Sequence, residues 1–146
     1  MNKKILYLDL DGVIADFKGK VNSKKEWKKS KRPDLIPNIY RDLELMPGAL
    51  EAVEILIAKF DVYILSSPSW DNYESWTHKR LWVEKHFANL LRRRLILCNN
   101  KSLLKGDYLI DDHSWNGAKE FEGKWIHFGT KEYPNWNTVL KFMRNE

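Results

Sequence analysis

The stretch ILYLDLDGVIADF, Ile5 to Phe17, is the most informative in the chain. A short apolar run of strand character ends in Asp9 and Asp11, passes Gly12, and meets a third acid at Asp16 before the chain turns polar. Carboxylates are costly to bury unless a cation, a ligand or water compensates them. A strand that delivers two acids at its C-terminal end therefore marks a site at its tip, which is where open parallel sheets hold their ligands.

Four more runs share this character: FDVYILSS (60–67), RRLILC (93–98), DYLIDD (107–112) and KWIHFG (124–129). Between them lie helix-like stretches, PGALEAVEILIAKF (47–60) and DNYESWTHKRLWVEKHF (71–87). In the second, Trp76, Arg80 or Leu81, Val83 and Phe87 recur near helical spacing. Strand alternating with helix predicts an α/β fold, a Rossmann-like three-layer sandwich with a mainly parallel five-stranded sheet. The 146 residues suit a single domain over 1–146, interrupted by a short basic cap insert at about 18–45. Trp115, Trp125 and Trp136 are expected in the core or under a C-terminal helix, and Cys98 as a buried thiol without a chemical role.

Composition narrows the function. An apolar content of 43% with seven Trp, six Tyr and six Phe is that of a folded globule and excludes a disordered chain. The single cysteine excludes a disulfide framework and a cysteine-built zinc site, and a reducing cytoplasm is the expected location. No run has the make-up of a secretory leader or the length of a membrane span. The net charge of +5 is concentrated in KGKVNSKKEWKKSKR, Lys18 to Arg32, with eight basic residues against Glu26. Such a cluster steers an anionic ligand, binds nucleic acid, or is a solvated face; composition leaves all three open.

The strand ends carry the chemistry. They offer Asp9 and Asp11, Ser66 and Ser67, Asn99 to Lys101, and Asp111 with Asp112. Four carboxylates gathered at one sheet edge repel one another, and a hard divalent cation with oxygen ligands relieves this. Mg2+ fits best, since it binds through one or two carboxylates together with a substrate phosphate. The hydroxyls and one or two lysines then supply donors to phosphate oxygens.

The segments DLDGVIADF, LSSPSW, HKRLWVEKHF and NKSLLKGDYLIDD occur in that order, and together the chain from Ile5 to about Asp112 resembles the haloacid dehalogenase-like phosphatases, in particular the 5'(3')-deoxyribonucleotidases. The resemblance implies a magnesium-dependent phosphatase acting on nucleoside monophosphates through an aspartyl-phosphate. It makes Asp9 the nucleophile and Asp11 the residue that protonates the leaving oxygen and then activates water. Asp9, Asp112 and the carbonyl of Asp11 become the metal ligands, with Asp111 binding directly or through a partner. Ser66 and Ser67 become phosphate contacts, Lys79 the cation that neutralises the transferring group, Lys101 a further basic contact, and Phe17 the aromatic beside the nucleoside, in a loop that Asp16 shapes. The chain departs from the family pattern at CNNK (98–101), where Asn99 stands in place of an arginine, and in its short insert, so weak base discrimination is expected. The alternatives are a phosphatase of another small phosphoester or of a nucleic-acid terminal phosphate, and, less favoured, a non-catalytic nucleic-acid-binding module.

Overall fold

The computed structural model describes residues 2–146. All five expected strands form: β1 (Ile5–Leu8), β2 (Asp61–Ser66), β3 (Leu95–Leu97), β4 (Tyr108–Asp111) and β5 (Lys124–His127). They make one sheet in the order β3-β2-β1-β4-β5, and every neighbouring pair is parallel. Chain direction across the sheet therefore reverses beside β1, between the excursion to β2 and β3 and the return to β4. That switch point is where an open α/β sheet parts its connections and leaves a crevice.

Alternation along the strands separates two cores. Leu6, Leu8, Val62, Ile64 and Ile110 face one side and pack against α3 (Ala49–Lys59), α4 (Glu74–Phe87) and α5 (Trp136–Met143). Tyr7, Leu65 and Leu109 face the other, where Ala118 and Phe121 cover them. The third layer is thus thin. It consists of turns and the 3-10 segment Lys101–Leu103 rather than α-helices, because the β3–β4 and β4–β5 connections contain none.

The long connection from β1 to α3 spans the residues of the basic insert. It holds α1 (Phe17–Asn22), α2 (Lys25–Lys28) and a 3-10 turn at Pro33–Leu35. Its two ends close on each other through Asp16 N–H to the Glu44 carbonyl (2.8 Å) and Met46 N–H to the Ile14 carbonyl (2.7 Å). Indoles pin this neck to the core, Trp82 donating to the Leu43 carbonyl at 2.7 Å and Trp136 to that of Val13 at 2.8 Å.

Three expectations need correction. The buried face of α4 is Ser75, Lys79, Trp82, Val83 and Phe87, while Leu81 points to water; the helical phase is set by Trp82 and Lys79. Trp136 is buried and Trp125 half-buried, but Trp115 is 63% exposed and belongs to no core. Cys98 is half-buried rather than buried, lying one residue past an edge strand. Among the described residues no helix is long and apolar enough to cross a membrane.

Candidate active site

Asp9 follows β1 by one residue and keeps the ladder with β4, its N–H donating to the Ile110 carbonyl at 2.9 Å. This brings it beside Asp111 and Asp112, at the end of β4. Carboxylate oxygens of Asp9, Asp111 and Asp112 lie within 4.8 Å of one another. Between β1 and the insert, Gly12 takes the left-handed φ of +85°, and a Cβ there would stand 2.0 Å from Asp112 Oδ2. Only glycine permits both the turn and the approach of Asp112.

Two lysines answer these acids. Lys101 is 3% exposed and donates to Asp9 Oδ1 at 2.9 Å and Asp111 Oδ2 at 2.6 Å. It opens the 3-10 turn that the Asn100 side chain caps, and its own N–H donates to the Asn116 carbonyl at 2.7 Å. Lys79, 1% exposed on α4, donates to Asp11 Oδ2 and, at 2.9 Å, to Ser66 Oγ. Its ammonium also lies 4.7 Å from the centre of the Tyr40 ring, which stacks on Phe17 at 4.9 Å.

The nucleophile candidate and its neighbour are held in opposite conditions. Burial would raise the Asp9 carboxyl, yet the Lys101 charge, hydrogen bonds from Asp112 and Lys101, and the charge of Lys79 hold it below the usual carboxylate range. Burial raises Asp11, and the charge of Asp9 adds to this, against the opposing pull of Lys79. The two carboxyls are thus pushed in opposite directions, Asp9 down and Asp11 up, which is the sense that nucleophile and general acid require. Burial, then the charge of Asp9, pushes Asp112 up to about 9; the same causes push Asp111 up to about 7 against Lys101.

The donor set suits a hard cation. Asp112 Oδ1 and Asp11 Oδ1 are buried and, among the described residues, without a hydrogen-bond partner. Asp111, by contrast, has spent both oxygens, one on Lys101 and one on the His113 N–H at 3.0 Å. Asp112 thus keeps an oxygen open toward a cation, whereas Asp111 is held by Lys101.

A cavity of about 880 Å3 opens over this edge. Asp9, Asp11, Ser67, Lys101, Asp111 and Asp112 form its floor, and Phe17, Lys18, Val21, Arg32 and Tyr40 of the insert form one wall. Ser66 and Lys79 lie beneath the floor and reach it through Asp11. The Ser67 hydroxyl, at the cavity, donates to the Cys98 carbonyl at 2.8 Å, while the buried Ser66 hydroxyl accepts from Lys79 at 2.9 Å. Asn99 lines the cavity but donates to the Pro68 carbonyl at 2.9 Å, bracing the loop after β2.

Sequence reasoning missed several participants. Asp34 ties the insert to that same loop, accepting from Arg32 Nη2 at 2.9 Å and Ser69 Oγ at 2.8 Å, while its carbonyl accepts from Asn72 Nδ2. Tyr40, Trp70 and Trp115 also line the cavity. No local pattern marks these residues; only the insert's path and the loop conformations bring them in.

Residues 24–142 match the protein family described as 5' nucleotidase, deoxy (Pyrimidine), cytosolic type C. A protein of Vibrio phage KVP40, provisionally named a 5'(3')-deoxyribonucleotidase, is 45% identical over 148 residues, covering 99% of this chain and 87% of the phage protein. The human cytosolic-type 5'(3')-deoxyribonucleotidase is 29% identical over 152 residues, covering 82% of this chain and 76% of the human one. Among solved structures, a provisionally named HAD-hydrolase of Bacillus subtilis, crystallised bound to magnesium, matches with a TM-score of 0.63 at 11% identity. The match covers 99% of this chain and 100% of that one, and it speaks to the fold.

Proposed function

The chain belongs to the haloacid dehalogenase-like 5'(3')-deoxyribonucleotidase family and is a nucleotidase-type phosphoric monoester hydrolase; from that premise we propose that it hydrolyses nucleoside monophosphates, deoxyribonucleotides foremost, through a phosphate carried on Asp9. The observation that carries this reading is the pair Asp9 and Asp11, two residues apart at one strand tip, each held by its own buried lysine. An enzyme of this family has no need of the non-catalytic nucleic-acid-binding alternative, which is set aside.

In the first half-reaction the Asp9 oxygen not held by Lys101 attacks phosphorus, the bond from phosphorus to the ester oxygen breaks, and Asp11 gives that oxygen its proton. In the second, Asp11 takes a proton from water, the water oxygen attacks phosphorus, and the bond to Asp9 breaks, releasing inorganic phosphate. Lys101 orients Asp9 and shares the charge of Asp111. Lys79 fixes Asp11 and aims the Ser66 hydroxyl toward the phosphate oxygens.

Asp9 and Asp112, with the Asp11 carbonyl, would hold Mg2+, and the all-oxygen donor set with an unpartnered, buried Asp112 Oδ1 supports this assignment. When bound, the ion supplies charge to the phosphate oxygens and relieves the repulsion among the acids. Residues of about 18–45 serve as the cap, with Phe17 at the nucleoside side of the cavity. A cytoplasmic location is supported by the lone cysteine and by the name of the human relative.

The test is phosphate release from deoxynucleoside and ribonucleoside monophosphates, sugar phosphates and 3'-phosphorylated oligonucleotides, each with magnesium and with excess chelator. Magnesium-dependent turnover of nucleoside monophosphates, the deoxy forms at least as fast as the ribo forms, is expected. Sugar phosphates or oligonucleotides preferred by two orders of magnitude would overturn the substrate assignment, and full activity in chelator would remove the metal.

A further inference from the structure

The seven tryptophans fall into two kinds. Four donate their indole N–H to a backbone carbonyl: Trp76 to Ser69, Trp82 to Leu43, Trp125 to Asp111 and Trp136 to Val13. Trp27 packs against the main core with the Lys24 ammonium 4.3 Å from its ring centre. Trp70 and Trp115 remain, 78% and 63% exposed, and among the described residues neither indole N–H has a protein partner. A tryptophan left in water forgoes the burial its large ring offers. Both of these line the cavity that holds Asp9 and Lys101, Trp70 on the loop after β2 and Trp115 on the loop after β4.

Neither ring is loose. Trp70 meets Trp76 edge to face at 6.3 Å and 73°, on a loop that Asn99 and Asp34 brace through Pro68 and Ser69. Trp115 stacks one face on the His113 ring at 4.0 Å and 25°, and the residue remains largely exposed. The insert's aromatics are differently placed: Phe17 and Tyr40 stack on each other at 15°, and Tyr40 also carries the Lys79 ammonium. One face of each is spent on the other.

We propose that Trp70 and Trp115 form the nucleobase subsite, with the base stacking on one or both exposed indoles at the mouth while the phosphate sits at Asp9. This rests on the nucleotidase reading and adds to it the residues that recognise the base. Stacking on an indole is tolerant of base identity because every base presents a π face. The pair thus distinguishes a nucleotide from a bare sugar phosphate, and one base from another only weakly. Two exposed aromatic platforms on the core domain also compensate for the short insert, which contributes few walls of its own.

The test compares kcat/KM for deoxyadenosine 5'-monophosphate and for 2-deoxyribose 5-phosphate in the wild type, Trp70→Ala, Trp115→Ala, the double variant and the two Trp→Phe variants. The quantity read is the ratio of the two substrates, so a general loss of folded enzyme cancels. At least one alanine variant, and the double variant, should lower the ratio by about tenfold, chiefly through KM for the nucleotide, and phenylalanine at that position should restore most of it. A strong wild-type preference for the nucleotide that survives both alanine replacements overturns this inference alone. Alanine variants that lose both substrates equally overturn it as well. A wild type that turns over both substrates equally overturns this inference alone, and one that prefers the sugar phosphate by two orders of magnitude overturns the nucleotidase reading and this inference together.

Discussion

Residues 18–32 hold eight basic side chains, and seven of them are exposed; Lys79 and Lys101 stand singly in the sequence, and the fold encloses both. In the insert, Arg32 meets Asp34 and Asp71 at the surface, where solvent screening leaves such pairs little net worth. At the sheet edge, each buried lysine is matched by acids that are themselves mostly enclosed, and removing one partner of such a pair costs about 3–5 kcal/mol. The contrast teaches that the number of charges in a stretch says little about where chemistry happens. Burial, which the fold imposes, decides it.

The largest effect should come from the acid that Lys101 holds. Asp9→Asn should lower kcat by about 10⁴-fold or more, since an amide does not attack phosphorus, while circular dichroism and thermal melting show a folded protein. Next come the lysines themselves. Lys79→Met and Lys101→Met should each lower kcat by about 10²- to 10³-fold, measured with an amount of folded protein fixed by a melt. A loss below about threefold in either would place that lysine with the insert's solvated ones.

Asp112→Asn should weaken magnesium affinity by about 10- to 100-fold, read as the metal concentration for half-maximal activity and, independently, by calorimetry of magnesium alone. Replacing Lys24, Lys25, Lys28 and Lys29 together by Gln should have the smallest effect: kcat/KM lowered severalfold at low salt, little changed near 1 M salt, and kcat barely moved. A large fall in kcat would erase the contrast between the two regions.

Much of the fold was legible because its signals are local. The five strand runs carry their own β-branched and apolar pattern, and Pro47 ahead of Ala49 marks the start of α3. Asp9, Asp11, Asp111 and Asp112 were legible because each ends such a run, and strand ends share one edge in a parallel sheet. What local pattern could not supply was three-dimensional neighbourhood. Lys101 looks like a surface charge until Asn116 and Asn100 fix its turn under Asp9. Leu81 looks more fit for burial than Lys79, yet the phase of α4 puts the lysine inside. Trp115 has the composition of a core residue, and only the path of the loop after β4 sets it at the cavity mouth.

In the proposed reaction Asp9 carries the phosphate and Asp11 releases it. This is tested most directly by acid-quenching Asp11→Asn after brief exposure to phosphorus-labelled 4-nitrophenyl phosphate, whose leaving group needs no proton. The predicted result is acid-stable, hydroxylamine-labile label on Asp9, approaching about one phosphate per chain, and none in the Asp9→Asn, Asp11→Asn double variant. Turnover by the Asp11→Asn variant with no retained label, or label found on another residue such as His113, would contradict it.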